Sequence, residues 1–153
     1  MKIGVISDTH GHLDPRVEKI FAGVDHILHA GDIGYASIIL ELQFIAPVTA
    51  VLGNCDTDIS CRLTETVEIG AKKFLIHHIV NPRDLTETVS TRIARSQPHV
   101  VVFGHTHKRY AETMNGILYF NPGYSGKPKH GSDRSVALLH LDGNDIRHEF
   151  IPL

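Results

Sequence analysis

Long apolar runs, a surplus of charge of either sign and paired cysteines are all missing from this chain. No apolar stretch approaches the ~20 residues that a membrane-crossing helix needs, so no membrane partner is expected. The opening Met1-Lys2-Ile3-Gly4-Val5 is interrupted by Ser7-Asp8 too soon to form the apolar part of an export signal. Lysine and arginine together number 15 against 17 aspartates and glutamates. That balance argues against a nucleic acid held by bulk electrostatics, because phosphate backbones are met by basic surfaces. A nucleotide in a local pocket is left open. Cys55 and Cys61 form no C-x-x-C pair and sit in unmatched contexts. Free thiols in a reducing cytoplasm are therefore the expectation.

What the chain does have is histidine, 12 in 153 residues. Histidine is the commonest metal ligand and titrates near neutral pH. More than half of these are expected to be ordinary surface residues, so their placement matters more than their number. The length suits one compact domain, residues 1–153, with no linker or repeat.

The first two thirds alternate short apolar runs with helical patterns, as in a βαβ chain. Strands are expected at Ile3–Ile6, His26–Ala30, Val48–Leu52 and Val100–Phe103. Asp14-Pro15 reads as a helix start, with Val17, Ile20 and Phe21 on the apolar face. A second helix is expected over Ala36–Ile45, and a third opening at Asn81-Pro82 and ending before Pro98. Thr64–Ile69 and Lys72–His77 read as a hairpin. Two more hairpins turn at Asn115-Gly116 and Gly143-Asn144. An α/β start and an antiparallel β finish fit a two-sheet β-sandwich flanked by helices, a four-layer α/β/β/α arrangement.

Five apolar runs each end in a polar cluster. These are Asp8-Thr9-His10, Gly31-Asp32, Gly53-Asn54-Cys55-Asp56, His77-His78 and Gly104-His105-Thr106-His107. In a mainly parallel sheet the carboxyl ends of strands share one edge, where ligands bind. Asp8, His10, Asp32, Asn54, His77, His105 and His107 would then converge on one crevice. Carboxylates, an amide oxygen and imidazoles suit transition metals better than magnesium or calcium, which prefer oxygen alone. Seven donors are too many for one tetrahedral ion and suit two ions sharing a carboxylate. Glycines before Asp32, Asn54 and His105 allow tight turns beside the ions.

The ordered series D-x-H, G-D, G-N-x-D, a strand-end His and G-H-x-H resembles the calcineurin-like metallophosphoesterases. The short length and Gly-Asn-Cys-Asp look like their small prokaryotic phosphodiesterases, and the likeness runs through Asn121-Pro122-Gly123. The resemblance implies that Asp8, His10, Asp32 and His107 hold one ion. Asp32, Asn54, His77 and His105 would hold the other, with Asp32 bridging. Manganese is the first expectation, with nickel, cobalt, iron or zinc as alternatives. The sequence departs from the family at two places. Cys55 stands where many members have a histidine that, with the following acid (here Asp56), protonates the leaving group. His77-His78-Ile79 replaces a common His-Gly-His.

Such a pair of ions activates a water for in-line attack on phosphorus. Asn54 and His105 would also contact the phosphate, and Cys55 and Asp56 would stand on the leaving-group side. The expected partner is a small phosphate ester, with a homo-oligomer open. Two other readings accompany the likeness: a non-catalytic scaffold of the same fold, as in the retromer coat, and a nuclease. Competent donors at all seven positions weigh against the scaffold, and the absence of a basic excess weighs against the nuclease.

Overall fold

The computed structural model describes residues 1–153. Its elements run β1 (Lys2–Ile6), α1 (Arg16–Ile20), β2 (His26–His29), α2 (Ala36–Gln43), β3 (Val48–Ala50), β4 (Thr64–Ile69), β5 (Lys72–His77), α3 (Glu87–Ser96), β6 (Val100–Val102), β7 (Arg109–Met114), β8 (Ile117–Pro122), β9 (Ser135–Asp142) and β10 (Asp145–Pro152). They form two five-stranded sheets, ordered β10-β9-β1-β2-β3 and β4-β5-β6-β8-β7. Each sheet is mixed rather than mainly parallel. β1, β2 and β3 pair in parallel, as do β5, β6 and β8. The antiparallel strands β4, β7, β9 and β10 flank these trios.

Three apolar clusters fix the layers. Ile3, Val5, Leu28, Phe74, Ile76, Val100, Val102 and Phe120 pack between the sheets. Ile6, Ile27 and Val136 pack outward against Val17 and Phe21 near α1 and Ile38 and Leu42 of α2. Leu75, Val101 and Tyr119 pack on the other side against Val89 of α3. The result is the expected α/β/β/α order. Both faces of the central strands are covered, which is why Phe74, Leu75 and Ile76 are all buried.

Several boundaries differ from expectation. The helix expected from Asn81-Pro82 begins at Glu87, where Thr86 accepts a bond from the Val89 N–H. Asn81 instead makes a turn, its side chain accepting from the Arg83 N–H and its carbonyl from the Asp84 N–H. Asp14 likewise accepts from the Arg16 N–H, and α1 is only five residues long. The hairpin turn at Asn115-Gly116 has positive φ at both residues, 50° and 77°, as a tight primed turn requires. No helix is long and apolar enough to cross a membrane.

Candidate metal centre

The parallel trios aim their carboxyl ends the same way, and the loops leaving them are laced together. Asp8 N–H donates to Gly31 O, His10 N–H to Asp32 O, and Gly104 N–H to His78 O. The polar clusters after β1, β2, β5 and β6 thereby become one surface. The loop after β3 joins through the Cys55 N–H, which donates to Asp32 Oδ1 at 2.9 Å.

Within it, the side chains of Asp8, His10, Asp32 and His107 come together. His107 Nε2 lies 3.2 Å from Asp8 Oδ1. His10 Nε2 lies 3.9 Å from Asp8 Oδ1 and 3.6 Å from Asp32 Oδ2. Asp8 and Asp32 are almost wholly buried. Burial raises the Asp8 carboxyl above the usual range, against a bond from Ser7 Oγ that lowers it. Burial acts the same way on Asp32, but the Cys55 N–H and the nearby His78 outweigh it and leave that carboxyl lowered. Asn54 and His105 meet each other, with His105 Nδ1 3.0 Å from Asn54 Oδ1.

His77 is not in the cluster, which corrects the expectation drawn from the sequence. It ends β5 on the face of Leu75, turned away from the opposite sheet. Its Nδ1 shares a hydrogen bond with Thr64 Oγ1 at 2.8 Å on the paired strand. His78 follows the parity of Phe74 and Ile76 and points between the sheets. Its Nε2 lies 3.4 Å from Asp32 Oδ2, and its Nδ1 is 2.7 Å from Ala30 O. A carbonyl only accepts, so Nδ1 carries the proton and Nε2 presents a lone pair to the cluster. That is the orientation a ligating histidine needs.

The donor set fits divalent metal ions. Asp8 Oδ1, His10 Nε2 and His78 Nε2 are buried and have no hydrogen-bond partner. Unpaired buried polar atoms are rare in folded proteins, and here they face one another. The ligand atoms of Asp8, His10 and His107 lie within 4.8 Å of each other, as do those of Asp8, Asp32 and His78. Asp8 and Asp32 neutralise positive charge, and each histidine offers nitrogen.

Backbone strain accompanies the geometry. Asp8, His10, Asp32, His105 and His107 have φ of 55°, 45°, 53°, 67° and 59°. Non-glycine residues held there cost about 1–3 kcal/mol each and collect at functional sites. Close approach makes two glycines necessary. Gly31 has φ of 97°, and a Cβ there would stand 2.7 Å from His78 Nδ1. A Cβ on Gly104 would strike Ser7 Oγ and Asp8 Oδ2.

The Cys55-Asp56 pair takes a different form from the family pattern. Asp56 accepts from the Gly34 N–H at 2.9 Å and the Gly53 N–H at 2.8 Å. Each oxygen takes one of these bonds, and together they tie two site loops to each other. Cys55 is exposed beside Asp32, whose charge pushes the thiol pKa up.

Sequence reasoning missed several supports. Ser125 Oγ donates to Ser7 O, and Asn121 Nδ2 donates to Gly104 O at 2.8 Å. The Tyr124 ring stacks on His107 with centroids 4.8 Å apart. The Asn121-Pro122-Gly123 run was the one visible signal for this group.

Residues 1–144 match the model of the calcineurin-like phosphoesterase superfamily domain. This chain belongs to that superfamily. A probable metallophosphoesterase of Methanothermobacter thermautotrophicus is 33% identical over 159 residues, covering 99% of this chain and 92% of the relative. Phosphodiesterase YfcE of Escherichia coli K12 is 32% identical over 170 residues, covering 93% and 89%. Vps29 of Chaetomium thermophilum superposes with a TM-score of 0.79 over 99% of this chain and 97% of its own. At 16% identity that likeness speaks for the fold alone. The calcineurin-like domain and relatives so named make the chain a hydrolase of phosphoric esters whose family uses divalent metal ions.

Proposed function

We propose that this metallophosphoesterase is a phosphodiesterase working with two divalent transition-metal ions, manganese first among them. Asp8, His10, Asp32 and His107 hold one ion. Asp32, Asn54, His78 and His105 would hold the other, with Asp32 the carboxylate shared between the two sets. The observation that carries this is the set of three buried, unpartnered ligand atoms on Asp8, His10 and His78. When bound, the ions supply Lewis-acid charge and an activated water. Asn54 and His105 border the phosphate and orient it by hydrogen bonds. The two free cysteines support a reducing compartment, in keeping with work in the cytoplasm.

The preference for good leaving groups rests on Cys55. A thiol whose pKa is pushed up by Asp32 stays protonated but gives its proton poorly to a departing alkoxide. A positioned general acid is worth roughly 10²–10⁴-fold, and its value grows with leaving-group basicity. Aryl leaving groups therefore suit this site better than alkyl ones, and a diester monoanion repels an attacking hydroxide less than a monoester dianion does.

Two measurements test the reading. Elemental analysis of metal-loaded protein should approach two ions per chain and fall for Asp32→Ala. A ceiling of one ion, unchanged in that variant, removes the bridging carboxylate. In a leaving-group series under one metal, Cys55→His should raise alkyl ester turnover more than aryl diester turnover. Because Asp56 is already bound to Gly34 and Gly53, the gain should be nearer the lower end, about 10²-fold. A uniform change across the series would show that Cys55 has no part in leaving-group departure.

A further inference from the structure

Two cavities flank the His105-Thr106-His107 turn, and they differ in character. One, of about 440 Å³, opens beside His105 and is walled by Ile79, Val80, Pro82, Phe103 and Tyr110 together with Lys108 and Arg109, which it shares with the second. The other, of about 490 Å³, opens beside His107 and carries Lys108, Arg109 and Lys129 against the single acid Asp133. None of these three cations is in an ion pair, although the chain as a whole is slightly acidic. Arg109 has only a long bond, 3.4 Å, from its guanidinium to Arg134 O.

The segment that contributes Lys129 to this cavity is held in place. Arg134 is buried, donating through Nε to Gly126 O at 2.6 Å and through Nη2 to Asp14 Oδ2 at 2.9 Å. This pins the segment that carries Lys129 to the turn before α1. Lys129 Nζ sits 5.0 Å from the centroid of the Tyr124 ring, and that ring stacks on His107. A continuous path of contacts thus runs from a free ammonium to a donor of the metal centre.

We propose that the cavity beside His107 receives a second phosphate of the substrate, so that the preferred diester carries an additional anionic phosphate on one arm. The chemistry follows from the walls. Three unpaired cations against one carboxylate attract a dianion, and an arginine offers its fork of donors to phosphate oxygens. This inference rests on the phosphodiesterase reading, which supplies the reacting phosphate between the two cavities.

The test separates the two. Calorimetry compares thymidine 3′,5′-bisphosphate with thymidine 5′-monophosphate on the manganese-loaded protein. The bisphosphate should bind about tenfold more tightly, as charge-assisted contacts to one extra phosphate allow. The advantage should shrink as salt is raised. Lys129→Gln should bring the affinity ratio close to one, and Lys129→Arg should restore it. In parallel, thymidine 5′-(4-nitrophenyl phosphate) and its 3′-phosphorylated form share one leaving group. The 3′-phosphate should lower KM by a similar factor and leave kcat nearly unchanged. Equal affinities for the two nucleotides, or a ratio unmoved in Lys129→Gln, overturns the second-phosphate site. If neither ester is cleaved, the phosphodiesterase reading falls, while the affinity ratio still decides what the cavity binds.

Discussion

His29, at the end of β2, and His78, just past the end of β5, are buried to nearly the same degree, 0% and 3% exposed. Their nitrogens meet opposite surroundings. His29 Nδ1 accepts from the Gly31 N–H, so its proton sits on Nε2 and goes to Thr9 Oγ1 at 3.0 Å. Thr9 passes its own proton to Ile33 O at 2.8 Å. Every polar atom of that ring is used. His78 donates from Nδ1 to Ala30 O, and its Nε2 has no partner. The lesson is that burial does not mark a ligand. One nitrogen satisfied by the scaffold and one left open toward carboxylates does.

The largest expected effect separates these roles. His78→Ala should weaken metal binding by at least about 10²-fold, beyond what losing a supporting contact costs. Competition with a chelator measures it. His77→Ala should leave binding nearly intact, and a loss of metal in that variant instead would reverse the assignment. Next in size, His29→Ala should cost about 2–4 kcal/mol in denaturant unfolding of metal-free protein, from the cavity and the broken bonds. An unchanged midpoint would mean the ring is not part of the support.

Smallest when taken per pH unit is the effect of acid. Burial lowers the His29 pKa to about 3, against the 6.5 of a free histidine. The unfolded chain therefore binds a proton that the folded chain refuses between those values. Stability is full above about 6.5 and is lost as pH falls toward about 3. The contribution of this one group is a slope of about 1.4 kcal/mol per pH unit. His29→Gln should flatten the metal-free profile in that window. An identical slope in the variant would show that other groups carry the acid sensitivity.

Much of this was legible in the residues. Asp8, His10, Asp32 and His107 were found because each follows an apolar run, and strand ends of parallel trios share an edge. Asn115-Gly116 announced its hairpin by needing positive φ twice. The His77–His78 choice was not legible. Both faces of β5 are buried, so Phe74, Leu75 and Ile76 show no alternation to tell inward from outward. Asn81-Pro82 misled for a related reason, since an asparagine before proline opens a turn as readily as a helix. Arg134 and Asp14 lie 120 residues apart, and no local pattern pairs them.

The left-handed backbone at Asp8, His10, Asp32, His105 and His107 has a cost in free energy. Glycine would occupy each of those φ values with less strain than aspartate or histidine does. The gain is not uniform across the five. Asp8→Gly and Asp32→Gly also give up the bonds from Ser7 and from the Cys55 N–H, which offsets the relief. The His10 and His107 rings make no hydrogen bond to the scaffold, so glycine at those two positions relieves strain with less to lose.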